Sequence, residues 1–115
     1  MKLGIDWDGT LASYPHAFIK LMKAASEVHI ITLNPTVVLE YVKHMLAVED
    51  MEITLHCYPH ELYGWDECHA PEWKAQMCTE LRIDVFFDDR QDICEHVEEN
   101  TETHVMHLTH RDNLV

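Results

Sequence analysis

Two hydrophobic periods alternate along the chain, and the switches between them outline its elements. Lys2 to Asp6 opens as a short strand. Pro15 to Ala25 puts Phe18, Leu21, Met22 and Ala25 on one helical stripe. Val28 to Leu33 (VHIITL) is β-branched and apolar, the pattern of a buried strand. Pro35 to Val48 opens with proline at a first helical turn and repeats Val38, Leu39, Val42, Met45 and Leu46 at helical spacing. Glu52 to Tyr58 alternates as a third strand. From Pro59 to Pro71 the pattern breaks into a loop rich in histidine, aromatic and acidic residues. Glu72 to Leu81 reads as a helix, and Ile83 to Phe87 (IDVFF) as a strand that stops at two acids. Gln91 to Glu99 is a further helix and His104 to Leu108 a last strand.

Repeated strand–helix alternation predicts an α/β protein: an open, three-layer Rossmann-like fold with a mostly parallel central sheet of about five strands. Residues 1–115 are expected to form a single domain. Ligands of such sheets bind beyond the carboxyl ends of the strands, where strand order reverses. Asp6 and Asp8 follow the first strand, Thr32 ends the second, and Asp88 and Asp89 end the fourth. Strand ends and acidic residues therefore coincide.

Composition narrows the partners. The chain is 47% hydrophobic and 25% charged, which suits a globular core and argues against disorder. Eight Lys and Arg against 21 Asp and Glu leave a net charge of −13. That balance disfavours a nucleic-acid polymer, whose binding rests on neutralising phosphates with basic side chains. A small phosphorylated substrate stays compatible if a metal offsets the field locally. The start, MKLGIDWDGT, has no apolar stretch like that of a signal peptide, and no run approaches the roughly 20 residues of a membrane span. A cytoplasmic protein without a membrane partner is expected, with its four cysteines reduced. Cys78 and Cys94, on helical stretches, read as small buried hydrophobes.

DWDGT at positions 6–10 sets two carboxylates two residues apart where an apolar strand becomes a loop, and Gly9 lets the chain turn tightly after them. FFDD, ending at Asp89, delivers two more at another strand end. Carboxylates gathered without a cation repel one another by several kcal/mol. A divalent cation relieves this, and all-oxygen ligation favours Mg²⁺.

These motifs resemble those of the haloacid dehalogenase-like hydrolase superfamily. The first motif is GIDWDGTL, with Asp6, Asp8, Gly9 and Thr10; the second is Thr32 in VHIITLN; the third is Lys74 in APEWKAQ; the fourth is Asp88 and Asp89 in DVFFDDR. The resemblance implies a phosphatase in which Asp6 is the nucleophile and forms an aspartyl-phosphate. Asp8 is then the general acid and base. It further implies one Mg²⁺ held by Asp6, the backbone carbonyl of Asp8, Asp88 and Asp89. Thr32, Asn34 and Lys74 would bind the substrate phosphate. An acid at position 8 typifies the phosphatases of the superfamily rather than its dehalogenases.

Many members carry a cap domain between these motifs, but only 21 residues separate Thr10 from Thr32. A capless form is expected, its open site covered, if at all, by an oligomeric neighbour or partner. Substrate choice then falls to local loops, above all positions 56–71. There Cys57, His60 and Cys68 with a further histidine could build a zinc site; otherwise the histidines with Tyr58, Tyr63 and Trp65 form a substrate rim or a packed surface. Trp7, Tyr14 and Trp65 near the mouth could stack a base, each being equally suited to the core. Nucleotides and sugar phosphates are the leading substrate classes. The competing functions are a phosphatase for macromolecular ends or phosphoproteins, and a non-catalytic binding module on the same fold.

Overall fold

The computed structural model describes residues 1–110. Five strands alternate with helices: β1 (Lys2–Ile5), α1 (Pro15–Ala24), β2 (Glu27–Thr32), α2 (Leu39–Met45), β3 (Ile53–Cys57), α3 (His60–Tyr63), α4 (Ala70–Leu81), β4 (Val85–Asp88), α5 (Gln91–Asn100) and β5 (His104–His107). The sheet runs in the order β3-β2-β1-β4-β5, and every neighbouring pair is parallel. The sheet is thus wholly parallel rather than mostly so. The chain builds outward from β1 to β3, then crosses back to lay β4 on the other side of β1. The switch point lies between β1 and β4.

Alternation along each strand sorts the core into two layers. Leu3 and Ile5 of β1, with Val28 and Ile30 of β2, face one way and pack against Phe18 and Met22 of α1 and Val42 of α2. Ile31 and Phe86 face the other way and pack against Trp73 and Cys78 of α4 and Ile93 and Val97 of α5. Cys78 and Cys94 are buried, as their positions on helical stripes predict. His29 lies within the apolar β2 run and is also buried. Its ring satisfies both nitrogens, one with His56 at 3.0 Å and one with Glu27 at 3.0 Å.

Two boundaries differ from the sequence pattern. The helix expected from Pro35 begins at Leu39, because Asn34 Oδ1 accepts from the Thr36 N–H at 2.9 Å and the Thr36 hydroxyl at 2.6 Å. That local capture makes a turn, and Val38 is still extended (φ −116°, ψ 124°). The expected loop from Pro59 instead holds the single turn α3, and α4 starts at Ala70 with Pro71 in its first turn. Only the Trp7–Leu11 turn and α1 separate β1 from β2, and only α2 separates β2 from β3. No cap stands over the strand ends among the described residues. None of the helices among them is long and apolar enough to cross a membrane.

Candidate functional site

Asp6 directly follows β1 and remains extended (φ −69°, ψ 153°), its N–H donated to the Phe87 carbonyl at 3.0 Å. It therefore stays in the sheet at the β1–β4 switch point with its backbone held by the neighbouring strand. The chain then swings through a wide turn in which Leu11 N–H reaches the Asp6 carbonyl and Ala12 N–H the Trp7 carbonyl. Gly9 makes that turn possible at φ +76°. The turn also brings Thr10 back over Asp6, and its hydroxyl donates to Asp6 Oδ2 at 3.2 Å.

Lys74 arrives from the opposite layer. It lies near the start of α4, 1% exposed, and its Nζ donates to Asp6 Oδ1 at 2.8 Å and to Asp88 Oδ2 at 2.7 Å. Asp88 closes β4, and its other oxygen accepts the Arg90 N–H at 3.0 Å, which fixes the turn into α5. Asp89, one residue on, carries its carboxylate 3.6 Å from His110 Nε2, while its carbonyl accepts from His107 at 3.2 Å. Oxygens of Asp6, Asp88 and Asp89 all lie within 4.8 Å of one another. Acids from the two ends of the switch point do meet.

Three carboxylates with one ammonium carry more negative charge than the site can balance internally. Burial pushes the Asp6 carboxyl up to about 7, against the pull of Lys74 and with the repulsion of Asp88 added. Burial works to lower the Lys74 pKa, but the charges of Asp88 and Asp6 overcome it and hold the ammonium above its ordinary range. The three carboxylates are hard oxygen donors, two of them buried, and one divalent cation would offset their excess charge. The residues fit Mg²⁺.

Asp8 is placed differently. Its carboxylate is exposed and lies outside that trio; Asn34 Nδ2 donates to its Oδ2 at 3.0 Å. Asn34, expected to touch substrate, has its amide oxygen committed to Thr36 and its nitrogen to Asp8, so it acts as a clamp on Asp8. Thr32 is buried, and its Oγ1 accepts the Asn34 N–H at 3.0 Å. That leaves the hydroxyl proton free to be donated into the cavity.

Asp6, Asp8, Thr32, Asn34, Lys74, Asp88 and Asp89 all border one cavity of about 490 Å³. Its far wall comes from the loop before α4, through His60, Trp65 and Glu67, and Arg90 closes one side. Of the residues offered as a substrate rim, Trp65 and His60 border this cavity, whereas Tyr58, Tyr63 and the other loop histidines do not; Glu67 and Arg90 had not been singled out. Arg90 directly follows the acidic pair, and that adjacency was the available signal. Trp7 packs in the core and Tyr14 bonds His110, so neither forms the rim.

Among the described residues, the candidate zinc ligands of the loop do not converge on one point. His60 Nε2 pairs with Glu67 at 3.0 Å, and the Cys57 thiol points at the Asn34 carbonyl, 3.8 Å away. Among the described residues, the acidic trio is the group of His, Cys and carboxylate ligand atoms that converges on one point. Burial pushes the Cys78 and Cys94 thiols up to about 12, which disfavours their thiolates. Comparison with protein-family models, curated proteins and solved structures finds no match for this chain.

Proposed function

We propose that this chain is a Mg²⁺-dependent phosphomonoester hydrolase of the haloacid dehalogenase-like type. The observation that carries the reading is the buried meeting of Asp6 and Asp88 on the Lys74 ammonium, with Asp89 alongside. With three carboxylates to one ammonium, such a cluster costs stability unless a second cation joins it, and it sits where parallel sheets bind ligands.

Asp6, Asp88 and Asp89 would hold the metal, which supplies the positive charge that lets an anionic carboxylate approach an anionic phosphate. Asp6 is the nucleophile. Its oxygen forms a bond to phosphorus as the bond from phosphorus to the leaving oxygen breaks. Lys74 and Thr10 hold both oxygens of Asp6 in place for this attack. Asp8 gives its proton to the leaving oxygen. In the second half, water attacks phosphorus, Asp8 takes its proton back, and the bond to Asp6 breaks to release inorganic phosphate. The clamp from Asn34 keeps Asp8 at the cavity wall for both transfers. The Thr32 hydroxyl donates to a phosphoryl oxygen. Four free thiols, two of them exposed, support a reducing, cytoplasmic setting.

Phosphate release from a panel of monoesters, with and without Mg²⁺, tests this reading. Wild type is expected to turn over at least one ester only with the metal, and Asp6→Asn to lose about 10³-fold or more. Equal rates in the two proteins would remove Asp6 from the chemistry.

A further inference from the structure

Trp65 is 73% exposed, so it forgoes most of the burial a tryptophan ordinarily gains. It is nevertheless held in place. Its indole stacks on the His60 imidazole, with 4.3 Å between centroids and 16° between planes. His60 itself is 5% exposed, paired with Glu67 at 3.0 Å, and set edge-on to Tyr58 at 4.9 Å and 80°. A buried imidazole, fixed by a hydrogen bond and an aromatic edge, thus orients an indole whose other face is open. Trp65 and Asp6 line the same cavity.

The charges of the cavity narrow what can sit against that face. Lys74 is committed to Asp6 and Asp88. Arg90 is gripped by Asp92 through two hydrogen bonds, at 3.1 and 2.7 Å, with Glu67 adding a weaker attraction. A second phosphate on the substrate would find both of these cations taken, and would lie near the Glu67 carboxylate. A polyhydroxyl group would need hydrogen-bond partners as well as the indole, and Glu67, the carboxylate of that wall, is already bonded to His60. A flat, uncharged ring gains a stacking surface ready-made.

We infer that Trp65 is a specificity-determining residue and that the leaving group carries a planar aromatic or heteroaromatic ring, with a single phosphate on the substrate. This rests on the phosphatase reading above for the phosphate, but on Trp65 and His60 alone for the ring. Nucleoside monophosphates and simple aryl phosphates share that chemistry; they differ in the spacer between ring and phosphorus.

The test compares Mg²⁺-loaded wild type, Trp65→Ala and Trp65→Phe on adenosine monophosphate, adenosine diphosphate, phenyl phosphate and glycerol phosphate. In Trp65→Ala the preference in kcat/KM for the ring-bearing monoester over glycerol phosphate is expected to fall about 10- to 100-fold, the value of one base stacked on an aromatic side chain. Trp65→Phe keeps most of that preference. Whichever of adenosine monophosphate and phenyl phosphate shows the larger fall identifies the spacer. A preference that does not change in Trp65→Ala, or turnover of the diphosphate as good as that of the monophosphate, overturns the inference.

A second measurement needs no turnover. Adenosine monophosphate is expected to quench the indole fluorescence of Asp6→Asn, and the quench to vanish in Asp6→Asn/Trp65→Phe. Quenching of Asp6→Asn alongside a wild type that hydrolyses none of the four esters with Mg²⁺ ends the phosphatase reading and leaves the ring platform standing. Hydrolysis without quenching or ring preference ends the platform alone.

Discussion

Lys74 Nζ lies 2.7 Å from Asp88 Oδ2, and neither side chain is more than 1% exposed. A buried ammonium shared with Asp6 as well is the sole permanent cation in contact with these acids among the described residues. Removing one partner of such a group leaves charge buried without compensation, at a cost of about 3–5 kcal/mol. Lys74→Met keeps the volume and removes the charge. In metal-free protein it is expected to lower unfolding free energy in urea by about 3 kcal/mol or more. Mg²⁺ should restore part of that loss, since the metal would replace the missing positive charge. A loss below about 1 kcal/mol would show that the carboxylates are compensated by something other than Lys74.

The same crowding makes stability depend on pH in a defined direction. Burial first, and Asp88 with it, raise Asp6 to about 7 from an ordinary value of 3.8. Between those values the folded protein holds a proton that the unfolded chain has released. The stability linked to Asp6 is therefore full below about pH 4 and is lost as pH rises through about 7, on the order of a few kcal/mol. Urea unfolding of metal-free wild type and Asp6→Asn at pH 5 and pH 8 isolates this contribution. Wild type is expected to weaken relative to the variant at the higher pH; parallel behaviour would mean that Asp6 is ionised throughout. Excess Mg²⁺ should reverse the trend for wild type, because the metal binds the ionised form.

What the sequence could and could not announce follows from the range of the interactions. The runs at β1, β2 and β4 are short and apolar, and those of β1 and β4 stop at acids, so both strands and strand ends were readable from local pattern. Lys74 was identified by its motif, but its dual grip on Asp6 and Asp88 spans 68 and 14 residues and belongs to the folded chain alone. The late start of α2 was missed because helical spacing from Val38 onward says nothing of Asn34 turning its side chain onto Thr36. The residue types of the loop before α4 left a zinc site, a substrate rim and a packed surface open. In three dimensions its histidine serves an aromatic stack and a carboxylate, a choice made by tertiary contacts that no spacing encodes. His29, a polar residue in an apolar strand, is explained by His56 on the neighbouring strand together with Glu27 two residues before it.

Asn34 holds Asp8 from 26 residues away, at 3.0 Å, and both are exposed enough to be changed without breaking the core. Asn34→Ala should release the Asp8 carboxylate to rotate into solvent, weakening proton transfer while leaving the acidic trio in place. The expected result is a fall in kcat of about 10- to 100-fold, since general acid–base catalysis contributes about 10²–10⁴. Mg²⁺ affinity, read by calorimetry, should change little. Asn34→Asp places two carboxylates together and is expected to be worse than alanine. If kcat is insensitive while KM rises, Asn34 touches substrate directly and its contact with Asp8 is incidental.

Gly9 carries two separate demands, and one substitution tests both. Its φ of +76° is strained for any residue with a Cβ, at a cost of about 1 kcal/mol or more. A Cβ built there would also collide with the carboxylate of Asp89. Gly9→Ala must therefore shift either the turn that presents Asp8 or the acid that completes the trio. If strain were the whole effect, stability would fall by about 1–3 kcal/mol and metal binding would be preserved in the folded protein. The overlap with Asp89 predicts more: Mg²⁺ affinity should fall about 10-fold or further, because a displaced ligand cannot be recovered by local relaxation. Asp89→Ala alone should weaken Mg²⁺ similarly. Adding Gly9→Ala to it should then weaken Mg²⁺ little further, since the group that collides with the new methyl is gone. Calorimetric titration of Mg²⁺ into the two single variants and the double variant measures that coupling. Additive losses would mean that Gly9 acts only through the backbone and that its contact with Asp89 has no bearing on the metal.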